Sequence, residues 1–195
     1  MSDQLSLMGF DEPPRPTDRL FFALFPTEEA ARRIANLALQ LRGEHGLSGT
    51  PLQTERFHIT LHHLGDYAGL PPDVLALAVQ AAQALALPPF EISFDRVASF
   101  SGHPSKRPFV LRGSDDGLAA LTAFQQTLGT VMRQVGLGRR VDVRFTPHVT
   151  LLYDSRLVAE QAVAPIHWTA HELVLVHSLL GQTRYVPLGR WTLKG

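Results

Sequence analysis

The sequence predicts an α+β fold of two similar lobes, each an antiparallel sheet with helices on its outer side, with a candidate active-site cleft between them. Three observations predict it. A strand–helix–loop–strand order occurs twice. Both copies end in the tetrad His-x-Thr-Leu, at His58 and at His148. The copies also match in length: Phe21 lies 37 residues before His58, and Val110 lies 38 before His148. Two copies of so long a unit indicate an internal duplication rather than a solenoid.

The first unit opens with the apolar run Leu20 to Phe25, which reads as a buried strand. Pro26 ends it. Thr27 followed by Glu28 and Glu29 is a helix start, a capping hydroxyl and then acids near the positive helix end. Ala30, Ile34, Leu37 and Leu41 recur at helical spacing to about Arg42. A glycine-bearing loop leads to the motif strand, Phe57 to Leu64. The second unit has a short strand at Phe109–Leu111, a helix from about Asp116 to Val135, a loop at Gly136 and Gly138, and a motif strand within Val141–Tyr153. After the first unit the sequence predicts a helix at Pro72–Leu87 and a strand at Phe90–Phe100. After the second it predicts a segment near Leu157–Val163 and strands at Glu172–Leu180 and Tyr185–Leu193. Residues 1–18 are polar and proline-bearing and read as a flexible tail. Residues 19–195 read as a single bilobal domain.

Composition narrows the chemistry. The chain has 195 residues, enough for one sizeable core. Eighteen basic residues balance eighteen acidic ones, which argues against coating of long nucleic acids by a general positive field. There is no cysteine, so disulfides, thiolate metal sites and thiol nucleophiles are excluded. No stretch reads as a signal peptide or membrane span, and a soluble, cytoplasmic monomer without membrane partners is expected.

In a strand, alternation puts His58 and Thr60 on one face and Ile59 and Leu61 on the other, and treats His148 and Thr150 likewise. His-x-Thr alone is weak evidence, because it recurs at His167-Trp168-Thr169. That copy has no following Leu, precedes a strand instead of forming one, and is set aside. Two histidines in one cleft suit acid–base work near neutral pH. A neutral imidazole accepts a proton from the nucleophile, and a charged one supplies a proton to the leaving group. Thr60 and Thr150 can donate to phosphate oxygens, so a cyclic phosphodiester fits the set. Alternation also puts His62 and Arg144 on the cleft face as possible substrate contacts, and turns His63 toward the core. A metal held by His58, His62 and His63 is disfavoured, because adjacent strand residues point to opposite faces. Lys106 or Arg107 could meet a phosphate, and Tyr185 could stack on a base. Phe57 reads as core.

These residues resemble a known family, the two-histidine phosphoesterases, and within it the RNA 2′,3′-cyclic phosphodiesterases, also called 2′-5′ RNA ligases. The likeness runs from Arg19-Leu20-Phe21-Phe22-Ala23-Leu24 through Glu55–Leu61 and Phe145–Leu151 to Glu172–Leu175, Ser178, Tyr185, Leu188 and Trp191. It implies that His58 is the proton donor, that His148 is the acceptor activating water, and that Thr60 and Thr150 bind phosphate. It further implies hydrolysis of a 2′,3′-cyclic phosphate end to a 2′-phosphomonoester without metal or other cofactor, and a reversible 2′-5′ joining activity. RNA 3′ ends or small cyclic nucleotides would be the substrates. The chain departs from the family five residues after each motif histidine. Tyr153 stands where many members have Arg, and His63 where many have an aromatic residue. Tyr153 remains a possible substrate contact as a hydrogen-bond donor without charge. Another cyclic phosphodiester as substrate, or a non-catalytic RNA- or nucleotide-binding module, are the alternative expectations.

Overall fold

The computed structural model describes residues 14–195. Most of the expected tail therefore lies outside the described residues. The first strand, β1, covers Asp18–Leu24, so Asp18 belongs to the sheet. Its carboxylate accepts from the Gly69 amide and pairs with the His177 ring at 2.6 Å.

The elements follow in duplicated order. After β1 come α1 (Glu28–Glu44), β2 (Ile59–Tyr67), α2 (Pro72–Gln83) and β3 (Phe90–Ser99). Then follow β4 (Arg107–Arg112), α3 (Asp115–Gln134), β5 (Val149–Asp154), β6 (Gln161–Ala170), β7 (Glu172–Leu179) and β8 (Arg184–Thr192). Two four-stranded antiparallel sheets result, ordered β2-β1-β7-β8 and β5-β4-β3-β6. Each unit contributes a pair, β1 with β2 and β4 with β5, and each motif strand takes a sheet end. Thr27 caps α1 by accepting from the Ala30 amide at 3.3 Å, as its sequence position suggested.

The helices join the lobes. Helix α1 buries Ala30, Ile34, Ala38 and Leu41 and packs on β5 and β6 of the opposite sheet. Helix α3 packs on β3 of its own sheet and on β2 of the other. One continuous apolar core therefore holds residues of both sheets, from Leu20 and Phe22 to Phe109 and Leu151. A smaller cluster of Phe21, Ala23, Val174 and Val176 lies on the other face of the first sheet, packed with Phe25 and Tyr185. Because β1 is covered on both faces, its sequence reads as a continuous apolar run rather than an alternating one.

Three expectations about elements are corrected. Residues 141–148 are not a strand, and β5 begins only at Val149. Helix α2 ends at Gln83 rather than Leu87. The His167 triplet lies inside β6, paired with β3. There Trp168 fills the core against Phe94, with rings 5.4 Å apart at 82°. His167 faces outward and bonds Ser93 at 3.0 Å. Its polar and proline-bearing surroundings concealed the strand.

Candidate active site

Both motif strands carry the same irregularity. In β2, Ala23 pairs with Thr60 but Phe22 pairs with His62, so Leu61 is an extra residue. In β5, Val110 pairs with Thr150 but Phe109 pairs with Leu152, so Leu151 is extra. Such a bulge puts two successive side chains on one side and reverses alternation beyond it. Leu61 and His62 are both buried, as are Leu151 and Leu152.

His62 and His63 are thereby exchanged relative to simple alternation. His62 is fully buried against α3 instead of lining the cleft. Its Nε2 donates to the Gln125 carbonyl at 3.0 Å, and its Nδ1 accepts from the Asp142 amide at 3.1 Å. A ring that donates from one nitrogen and accepts at the other is neutral. Burial accordingly lowers its pKa. His63 instead turns to the cleft and bonds Asp66 at 2.9 Å. Tyr153, at the matching position in β5, is 41% exposed and also lines the cleft. Arg144 is exposed and does not line it. The chain there is irregular, so alternation does not apply.

His58, Thr60, His148 and Thr150 converge on one cleft of about 700 Å³. The two histidines are anchored alike. His58 Nδ1 donates to the Arg56 carbonyl at 2.8 Å, and His148 Nδ1 donates to the Thr146 carbonyl at 2.7 Å. A carbonyl only accepts, so each bond fixes the proton on Nδ1 and leaves Nε2 for the cleft.

Their surroundings differ. His58 is packed by Phe21 and Tyr185, each ring centre 5.2 Å away, and by Phe25 at 6.0 Å. His148 has Phe100 edge-on at 5.0 Å. Burial is the main cause that lowers His58 from its ordinary 6.5 to about 4, with the nearby His148 and Arg56 adding to it. His148 is lowered too, again chiefly by burial, with Arg112 contributing. Burial thus favours the neutral form of both rings in the unliganded cleft.

The cleft is strongly biased in charge. Arg19, Arg56 and Lys106 line it, and no carboxylate does. Arg19 is held by Asp66 through two bonds of 2.7 Å, which bring the Asp66 carboxyl down to about 2. Arg56 lies over the Tyr185 ring at 5.0 Å and donates to its hydroxyl at 3.4 Å. Lys106 is on the cleft, whereas Arg107 is tied to the Pro104 and Ser155 carbonyls. Tyr185 lines the cleft and Phe57 is core, as their sequence settings suggested. Sequence reasoning missed Arg19 and Arg56. Arg56 was accessible, since it lies two residues before His58 on the chain that anchors it. Arg19 becomes visible only through the β1–β2 register. Among the described residues no cluster of three or more His, Cys, Asp or Glu is arranged to hold a metal ion. Among the same residues no helix is long and apolar enough to cross a membrane.

Comparison with known proteins identifies the family and the fold. A crystal structure described as a phosphoesterase matches with 26% identity and a TM-score of 0.69, over 93% of this chain and all (100%) of the other. E. coli LigT in its apo form matches with 26% identity and a TM-score of 0.66, over the same 93% and 100%. The LigT complex with 3′-AMP matches with 26% identity, the same coverage and a TM-score of 0.67. No match was found among curated proteins. The family model of the 2′-5′ RNA ligase superfamily matches residues 23–182. The chain belongs to the 2′-5′ RNA ligase superfamily, whose members are two-histidine phosphoesterases.

Proposed function

We propose that this chain hydrolyses 2′,3′-cyclic phosphate ends of RNA to 2′-phosphomonoesters, with His58 and His148 as the acid–base pair. The observation that carries this reading is the pair of matched histidines, each offering Nε2 to one carboxylate-free cleft. His148 Nε2 takes a proton from water as the water oxygen bonds to phosphorus. The bond from phosphorus to O3′ breaks, and His58 Nε2–H protonates the departing O3′. Thr60 and Thr150 donate to the two non-bridging oxygens, where charge concentrates. With a ribose 5′-hydroxyl in place of water, His148 takes its proton as the 5′ oxygen bonds to phosphorus, the bond to O3′ breaks and O3′ takes the His58 proton, and a 2′-5′ linkage results.

A lowered pKa suits His148 as base but leaves His58 without its acid proton in the resting cleft. The phosphate supplies the remedy. Its negative charge, brought beside a half-buried imidazole, favours the protonated ring. Proton uptake by His58 is thus coupled to substrate binding. E. coli LigT has been crystallised with 3′-AMP and with phosphate, which supports a cleft that accepts a nucleotide phosphate.

The reading is tested by incubating the protein with a nucleoside 2′,3′-cyclic phosphate in EDTA and identifying the product. A 2′-phosphomonoester formed at an undiminished rate is expected. Loss of activity on chelation, or a 3′-phosphomonoester product, would contradict it. The same assay on a cyclic ADP-ribose phosphate and on 2′-5′ oligoadenylates ranks the other candidate substrates.

A further inference from the structure

We propose that Lys106 and Tyr153 form a second phosphate subsite, which holds the phosphodiester on the 5′ side of the terminal nucleotide. The inference rests on the proposed function in one respect, that the reacting phosphate lies between the two histidines. It makes the substrate class an oligonucleotide end rather than a free cyclic nucleoside phosphate.

The duplicated register locates the site. Leu24 pairs with Ile59 just after His58, and Leu111 pairs with Val149 just after His148. Five residues back along the chain from Leu24 is Arg19, and five back from Leu111 is Lys106. Both cations line the cleft, each on the side of its own lobe's residue beyond the bulge, His63 or Tyr153. The resemblance ends there. Arg19 is consumed by Asp66, which His63 also contacts. Lys106 makes no ion pair among the described residues. Its ammonium lies 5.4 Å from the centre of the Tyr153 ring.

Tyr153 is itself fixed from behind. Gly49 lies so close to the Tyr153 carbonyl that any side chain there would collide with it. Asp154, the next residue, accepts from the Ser48 and Gly49 amides, each at 2.7 Å. The end of β5 that carries Tyr153 is therefore held in place, and Lys106, just before β4, sets its charge over the Tyr153 ring beside the cleft. At a strand rise of about 3.3 Å per residue, Tyr153 lies up to about 10 Å along β5 from Thr150. A spacing of that order suits two phosphates of one nucleotide, one at the threonines and one at Lys106 and Tyr153.

The test uses two unreactive ligands, adenosine 2′-monophosphate and adenosine 2′,5′-bisphosphate, measured by calorimetry against the whole chain. Wild type should bind the bisphosphate about tenfold more tightly, as one charge-assisted contact allows. Lys106→Met and Lys106→Ala should bring the affinity ratio close to one, and Lys106→Arg should preserve it. The preference should shrink as ionic strength rises. Equal affinity in wild type, a preference that survives Lys106→Met, or a parallel loss for both ligands would overturn the proposal. Because binding is read without turnover, a bisphosphate preference in a protein inert toward cyclic phosphates would refute the proposed function and leave this subsite standing.

Discussion

The β2 and β5 motifs share a backbone and differ in their surroundings. Both have the histidine Nδ1 tied to the carbonyl two residues earlier, a threonine on the same face, and a bulge directly after it. Beyond the bulge, one lobe has the spent Arg19–Asp66–His63 set and the other has Lys106 over Tyr153. Around the histidine, one lobe places three aromatic rings and the other places one. Duplication explains why two equivalent imidazoles meet in a cleft. Divergence of their neighbours then gives the two imidazoles unlike surroundings, and burial lowers His58 to about 4.

Substitutions can break that comparison or sharpen it. The largest effect is expected from His58→Ala and His148→Ala, each lowering kcat on a 2′,3′-cyclic phosphate by about 10²–10⁴-fold. The double variant should lose little more than either single one, since the two act as a unit. Thr60→Val and Thr150→Val should each cost up to about 10²-fold in kcat, in line with loss of one oxyanion donor. Unequal losses would show which threonine carries more of the developing charge.

His62→Ala tests the bulge. It leaves the Asp142 amide without its acceptor and should lower the unfolding free energy by about 2 kcal/mol. Activity per folded molecule should be retained. A kinetic defect in a protein of normal stability would return His62 to the cleft. Arg144→Ala should change kcat/KM by no more than about twofold, as for other exposed substitutions.

Stability should also depend on pH in a defined direction. His58, His62 and His148 have lowered pKa values in the fold, so below 6.5 the unfolded chain binds protons that the folded chain does not. Denaturant midpoints should therefore fall as pH drops from 6.5 toward 4. A further fall is expected below 3.8, because Asp66 and Asp154 are held near 2 by their hydrogen bonds. His58→Ala should flatten the first part of the curve.

The helices, the duplicated order and the four motif residues were legible because they obey simple periods. Helix α1 repeats its apolar residues every three or four positions, and the two motifs recur in matching places. The bulges were less legible, because a bulge breaks the very alternation used to find faces. Leu151-Leu152 was the available signal, two successive apolar residues in an otherwise alternating strand. In β2 the same position is His62, whose polarity suggested the cleft, and whose buried partners, the Gln125 carbonyl and the Asp142 amide, lie 63 and 80 residues away. Arg144 was misplaced because its segment is irregular chain, where side-chain direction follows no period.

The most direct measurement is the protonation state of each motif histidine by nitrogen-15 NMR, with and without an unreactive 2′,3′-cyclic phosphonate analogue of the substrate. In the free protein near neutral pH both rings should be neutral with the proton on Nδ1. On ligand binding His58 should take up a proton on Nε2 while His148 stays neutral. A free protein with both rings charged, or a complex in which His58 remains neutral, would contradict the account.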